Sequence, residues 1–168
     1  MPTFYLDTSA VLKRYRTEKG TDVVTELYEG AAPTDILVTS YFTCLEIESV
    51  TARALKGRLL THEAHDVLLG TFSQDVGDYL LLLSFDSGLI NEAIDAARRL
   101  ALRPADAIHF AAAQEGNRRV TGGEYVFVAS DKELLAATEA AGMTILDPEA
   151  NGAIAQLRKL RGHEPTRP

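Results

Sequence analysis

Short, nearly continuous apolar runs recur along the chain, and longer segments with helical spacing separate them. Residues 3–7 (TFYLD), 35–39 (DILVT), 79–84 (YLLLLS), 124–129 (EYVFVA) and 143–146 (MTIL) read as strands. Continuous apolarity is what a strand needs when both faces of its sheet are covered. The intervening segments predict helices at about 8–17, 20–30, 41–56, 61–76, 86–101, 104–115, 131–141 and 149–160. The run of four leucines within 79–84 also suits a buried helix. Strands alternating with helices imply a parallel sheet wound by right-handed crossovers. The expected fold is a three-layer α/β/α sandwich around a central parallel sheet of about five strands, formed by residues 1–161 as one domain. Gly162 to Pro168, with Gly, Pro and charges but no periodicity, are expected to be a frayed tail.

That architecture locates function before any residue is chosen, because open parallel sheets bind ligands beyond the carboxyl ends of their strands. Acidic residues stand there. Asp7 closes the first strand in Asp7-Thr8-Ser9, and Asp131 follows the fourth in Ala129-Ser130-Asp131-Lys132-Glu133. Both stretches also read as helix caps. Ser130 and Glu133 have the spacing of a capping box, and Thr8 or Ser9 can cap the first helix, which would release Asp7 and Asp131 for chemistry. Asp106 falls in the first turn of a helix opened by Pro104 and otherwise apolar, so its charge calls for a partner. Glu46 lies on the helix after the second strand, on a face with Ser49, Val50 and Arg53. Glu48 points about 160° away around that helix, and the sequence does not say which face looks into the crevice. Carboxylates gathered at one place repel each other and are tolerated around cations, and an all-oxygen donor set selects Mg²⁺ or Mn²⁺ over zinc.

Charge changes this picture. The 168 residues carry 17 basic and 24 acidic side chains, a formal charge of −7. A nucleic-acid partner is usually met by a basic surface, so the balance speaks against one unless bound cations reverse the local sign. Arg53 and Arg103 are the best placed candidates for phosphate contacts. Cys44 is the single cysteine, which excludes an intramolecular disulfide. The start of the chain has no basic and apolar leader pattern, and no segment is long and apolar enough to span a membrane, so a cytoplasmic protein is expected. Neither a G-x-G-x-x-G nor a Walker sequence is present, which argues against dinucleotide binders and P-loop ATPases. His62 and His65 lack the spacing of a zinc-protease helix, and His109, one turn beyond Asp106, is assigned to the core or to the surroundings of the acids.

At the four acids the chain resembles the PIN-domain family, in particular the VapC-like ribonuclease toxins of bacterial and archaeal toxin–antitoxin pairs. The matching stretches are Leu6-Asp7-Thr8-Ser9-Ala10-Val11-Leu12-Lys13, Thr39-Ser40 with Glu46, Leu102-Arg103-Pro104-Ala105-Asp106-Ala107-Ile108-His109, and Ala129-Ser130-Asp131-Lys132-Glu133-Leu134-Leu135. The resemblance implies an Mg²⁺- or Mn²⁺-dependent endoribonuclease with Asp7, Glu46, Asp106 and Asp131 as metal-holding acids. It implies supporting hydroxyls at Thr8, Ser9 and Ser130, an RNA substrate, a homodimer, and neutralisation by a cognate antitoxin. Apolar faces of the helices at 20–30, 41–56 and 61–76 are candidates for the dimer or antitoxin contact, although core packing gives the same pattern. Two other classes are weighed against it. A phosphoryl-transfer enzyme with Asp7 as nucleophile would want a second Asp where Ser9 stands. A non-catalytic RNA- or protein-binding module would have no need of a complete set of acids.

Overall fold

A computed structural model describes residues 1–30, 35–120 and 122–162. The strands are β1 (Thr3–Leu6), β2 (Ile36–Ser40), β3 (Leu80–Leu83), β4 (Tyr125–Val128) and β5 (Thr144–Leu146). The helices are α1 (Thr8–Leu12), α2 (Thr21–Glu29), α3 (Tyr41–Lys56), α4 (His62–Asp78), α5 (Ser87–Leu100), α6 (Pro104–Arg119), α7 (Lys132–Ala140) and α8 (Ala153–Leu160). The four-leucine run is a strand, and every expected element is present. The first helix is shorter than its pattern suggested, ending at Leu12 where 17 was expected, and α6 continues to Arg119 where 115 was expected. The expected tail lies outside the described residues except for Gly162.

All strand pairings are parallel, in the order β3-β2-β1-β4-β5. The alternation of side chains along β1 divides the core in two. Phe4 and Leu6 enter one layer with Val11, Leu27, Ile47 and Leu157, beneath α1, α2, α3, α4 and α8. Tyr5 enters the other with Phe110, Phe127 and Leu134, beneath α5, α6 and α7. From β1 the chain winds outward to β2 and β3, then crosses back to β4 and β5 on the other side. The winding direction therefore reverses between β1 and β4, the kind of switch point beyond whose carboxyl ends open parallel sheets bind their ligands. No described helix is long and apolar enough to cross a membrane.

One close approach holds α6 against the sheet. A Cβ on Gly116 would overlap the Tyr125 hydroxyl and stand 2.8 Å from its ring carbon Cζ. Alanine normally gains up to ~1 kcal/mol over glycine inside a helix. Overpacking of this kind costs about 1–3 kcal/mol, so Gly116→Ala is expected to lower stability in urea titration. The Tyr125 hydroxyl is buried and has no hydrogen-bond partner among the described residues. Adding Tyr125→Phe should therefore recover part of the loss, and failure to recover any would place the strain elsewhere.

Candidate active site

Asp7 leaves β1 with extended backbone (φ −73°, ψ 174°) immediately before α1. Its Oδ1 accepts from the Ala10 N–H at 2.8 Å, and the Ser9 hydroxyl donates to the same carboxylate at 2.7 Å. Asp7 is thus itself the cap of α1, contrary to the expectation that Thr8 or Ser9 would take that role. The helix begins at Thr8, so only the residue at the strand–helix junction has its side chain alongside the open N–H groups. Ser9 instead ties two strand ends together, because its Oγ also accepts from the Ser130 N–H at 3.1 Å. Asp131 repeats the arrangement after β4, with Oδ1 accepting from Glu133 N–H at 2.9 Å and Leu134 N–H at 3.0 Å. The capping box expected of Ser130 and Glu133 does not form. Ser130 stands one residue too early, and its buried hydroxyl has no partner in hydrogen-bond geometry among the described residues.

Glu46 is the glutamate of α3 that turns inward, and Glu48 is exposed. One oxygen of Glu46, Oε2, accepts from the Thr8 hydroxyl and lies 2.7 Å from His109 Nε2. His109 comes from α6, is buried, and has its Nδ1 2.9 Å from the Tyr5 hydroxyl. Tyr5 shares a face of the first strand with Asp7, so β1, α1, α3 and α6 all meet here. Asp106, half-buried in the first turn of α6 behind Pro104, stands near the same group.

The electrostatics link all four acids. Burial pushes the Asp7 carboxyl above the usual carboxylate range; His109, the Ala10 N–H and Ser9 pull against it, and the charge of Glu46 adds to the rise. Asp106 is also raised, first by burial, then by the charge of Asp131 and more weakly by that of Glu46, against the pull of Arg103 and His109. Glu46 moves the other way. Burial works against its charge, but hydrogen bonds from His109 and Thr8 hold its carboxyl below the ordinary value. The donor chemistry, carboxylates that raise one another's cost of ionisation, fits a hard divalent cation. The spacing is open, however: among the described residues no three acid, histidine or cysteine side chains stand close enough to hold a metal ion.

Most basic residues near the acids already have partners. Lys13 is buried in ion pairs with Glu18 at 3.2 Å and Glu149 at 2.7 Å, and Arg14 pairs with Glu29 at 2.9 Å. Arg53 donates to Ser49 at 2.8 Å, and its charge helps to hold Glu46 ionised. Arg103 stands at the position before α6 without a capping side-chain bond, and its charge acts on Asp106. Among the described residues neither arginine is within 4.0 Å of a carboxylate, which leaves both available to an anionic ligand.

The family model described as PIN domain matches residues 4–141. The chain belongs to the PIN-domain family. No curated protein sequence matches it. Solved structures with the same fold include PAE2754 from Pyrobaculum aerophilum, 18% identical with a TM-score of 0.62, over 95% of this chain and 96% of that one. VapBC2 from Rickettsia felis, bound to a promoter DNA fragment, is 12% identical with a TM-score of 0.62, over 86% and 98% of the two chains. FitAcB from Neisseria gonorrhoeae is 17% identical with a TM-score of 0.59, over 86% and 97%.

In this PIN domain the four acids stand at one end of the sheet, where Thr8 bonds to Glu46 and Ser9 to Asp7. Ser130 reaches them only through its N–H, by way of Ser9. Sequence reasoning passed over Tyr5, although period-2 alternation places it on the face of Asp7 and would have drawn attention to it. Phe42, whose ring packs edge-on to His109 with centroids 5.6 Å apart, was also passed over.

Proposed function

We propose that this PIN domain is an Mg²⁺- or Mn²⁺-dependent endoribonuclease acting as the toxin of a toxin–antitoxin pair. The observation that carries the reading is the placement of four acids at one end of the sheet: Asp7 directly after β1, Glu46 on α3 bonded to the neighbouring Thr8, Asp106 in the first turn of α6, and Asp131 at the start of α7 beyond β4. Four elements bring these acids to the crevice where an open parallel sheet binds its ligand. Asp7, Glu46 and Asp106 would hold the main cation, and Asp131 would position a second ion or the attacking water. A divalent cation held by these acids would supply the activation of water and the charge compensation that phosphodiester hydrolysis needs. Arg53 and Arg103 would draw the RNA backbone into the crevice against the acidic charge of the whole. A single-stranded segment or loop suits the open site, because unpaired RNA exposes its bases and backbone. Cleavage should leave a 5′-phosphate and a 3′-hydroxyl.

The partner half of the reading is supported by a structural neighbour described as a toxin–antitoxin complex from Klebsiella pneumoniae, 14% identical with a TM-score of 0.52. Tyr41 and Leu45 on α3 and Val67 on α4 are large apolar side chains more than half exposed, and an antitoxin or a second copy of the chain would cover them. A bacterial or archaeal cytoplasm is the compartment that fits such a pair.

The test is cleavage of a labelled structured RNA with Mg²⁺ or Mn²⁺ and with EDTA. Metal-dependent cutting is expected, and undiminished cutting in EDTA would overturn the metal reading. The open spacing of the acids favours a second reading, a domain that holds RNA or protein without cutting it. That module would bind the same RNA equally well with and without metal and leave it intact.

A further inference from the structure

The hydrogen bonds around His109 specify more than proximity. An ionised carboxylate offers only lone pairs, so the 2.7 Å contact to Glu46 Oε2 requires the hydrogen on His109 Nε2. The Thr8 oxygen, 3.1 Å from Nε2, can share that hydrogen while its own hydroxyl donates to the same Oε2. With Nε2 as donor, Nδ1 of a neutral imidazole has to accept, and the Tyr5 hydroxyl at 2.9 Å is the donor it faces. Tyr5 is fully buried, and the contact to His109 Nδ1 is the hydrogen bond its hydroxyl makes among the described residues. The rings are also held in place. Tyr5 stacks on Phe127 with centroids 5.6 Å apart, and it meets the edge of His109 at 6.0 Å. The Phe42 ring covers His109 from another side.

We propose that the Glu46 carboxylate on one ring nitrogen and the Tyr5 hydroxyl on the other lock His109 as its Nε2–H tautomer, so that His109 and Thr8 together pin Oε2 of Glu46 and leave Oε1 as the oxygen with which Glu46 meets a ligand. Among the described residues Oε1 has no hydrogen-bond partner. Tyr5 and His109 are positioning residues: they act through Glu46 and restrict it to one ligating oxygen. An unsupported glutamate would lose rotamer freedom on binding a ligand, and this one is already ordered by a buried network that reaches back into the sheet. The part concerning a cation rests on the function proposed above, whereas the tautomer and the pinned oxygen do not.

Two measurements test it, both on the metal-free or Mn²⁺-loaded full chain without RNA. The first is the ring ¹⁵N spectrum of histidine-labelled protein at pH 8, with the His109 signals assigned by their loss in His109→Gln. Wild type should give the Nε2–H pattern and keep it in Tyr5→Phe, where Glu46 still holds the hydrogen, whereas the double variant Tyr5→Phe with Glu46→Ala should give a mixture of both tautomers. An Nδ1–H or doubly protonated His109 in wild type, or an unchanged tautomer in the double variant, would overturn the proposal. The second is Mn²⁺ affinity by electron paramagnetic resonance. Outer partners of metal ligands typically contribute 10–100-fold to affinity, so His109→Leu should weaken binding by about that factor. His109→Gln, whose amide can still donate to Glu46, should recover part of it. Equal losses in the Leu and Gln variants, or no loss in either, would overturn the pinning of Glu46. A wild type that binds no Mn²⁺ would count against the proposed nuclease, and the histidine spectrum would still decide the tautomer.

Discussion

Asp106→Asn is expected to abolish metal-dependent RNA cleavage and, in EDTA at neutral pH, to melt at a higher temperature than wild type. Loss of an outer partner of a metal ligand costs about 10–100-fold, so removal of the ligand itself should exceed roughly 100-fold. The stability half follows from the carboxyl's raised pKa, which burial and then the charge of Asp131 cause. Folding favours the protonated form of Asp106. Its stabilising contribution is complete below the unfolded carboxyl value of about 3.9 and is lost as pH rises through the higher folded value. At neutral pH the ionised group is a cost, and Asn has the same shape without the charge. The melting advantage of Asp106→Asn should therefore shrink as pH falls toward 4, as read by circular dichroism in EDTA. Mn²⁺ should raise the wild-type melting temperature by binding the folded state and leave that of the variant nearly unchanged. Robust cutting by Asp106→Asn, or a lower melting temperature at neutral pH, would refute this account of the site.

The second large effect lies far from the acids. Arg161, just after α8, donates Nε to Asp35 Oδ2 at 2.6 Å, and its other nitrogens donate to the carbonyls of Glu26 at 3.1 Å and Leu27 at 3.2 Å. Those carbonyls belong to the last turn of α2, so the guanidinium caps that helix where its dipole is negative. The side chains of Arg161 and Asp35 are 2% and 1% exposed, and the guanidinium lies 5.9 Å from the Phe4 ring centroid. Solvent cannot take over either charge if its partner is removed. Arg161→Ala should cost roughly 3–5 kcal/mol by stranding Asp35. For a chain of this length that lowers Tm by roughly 6–20 °C. Arg161→Lys should recover only a fraction, since an ammonium cannot reproduce the fork that serves Asp35 and two carbonyls at once. The double change Asp35→Leu with Arg161→Met should be less damaging than Arg161→Ala alone, because no charge is left unpaired. A loss below about 1 kcal/mol for Arg161→Ala would mean that water reaches the pair, as it does in surface salt bridges. RNA cleavage at temperatures below the transition should be unaffected.

The number, kind and order of the elements were legible along the chain, because strands covered on both faces must be apolar throughout and the helices between them must carry one apolar stripe. YLLLLS was the ambiguous case. Its resolution as β3 depended on the edge position beside β2, with Leu37 paired to Leu80 and Ser40 to Leu83, which no local pattern encodes. Asp7, Asp106 and Asp131 could be picked out because strand ends and helix starts are positions along the sequence. Which hydroxyl or carboxylate caps each helix is not legible in the sequence, since a shift of one residue at the junction decides which side chain reaches the open N–H groups.

What the sequence determined by itself was therefore an alternating α/β chain with acids at the ends of its strands. Tertiary structure decided the rest. The choice of Glu46 over Glu48 depends on the rotation of α3 against β1. The Tyr5–His109–Glu46 network joins residues 104 and 63 positions apart. The Arg161–Asp35 pair spans 126 positions. Propensity and periodicity act over a few residues, whereas a hydrogen bond between buried side chains forms only where packing brings two distant segments within about 3 Å.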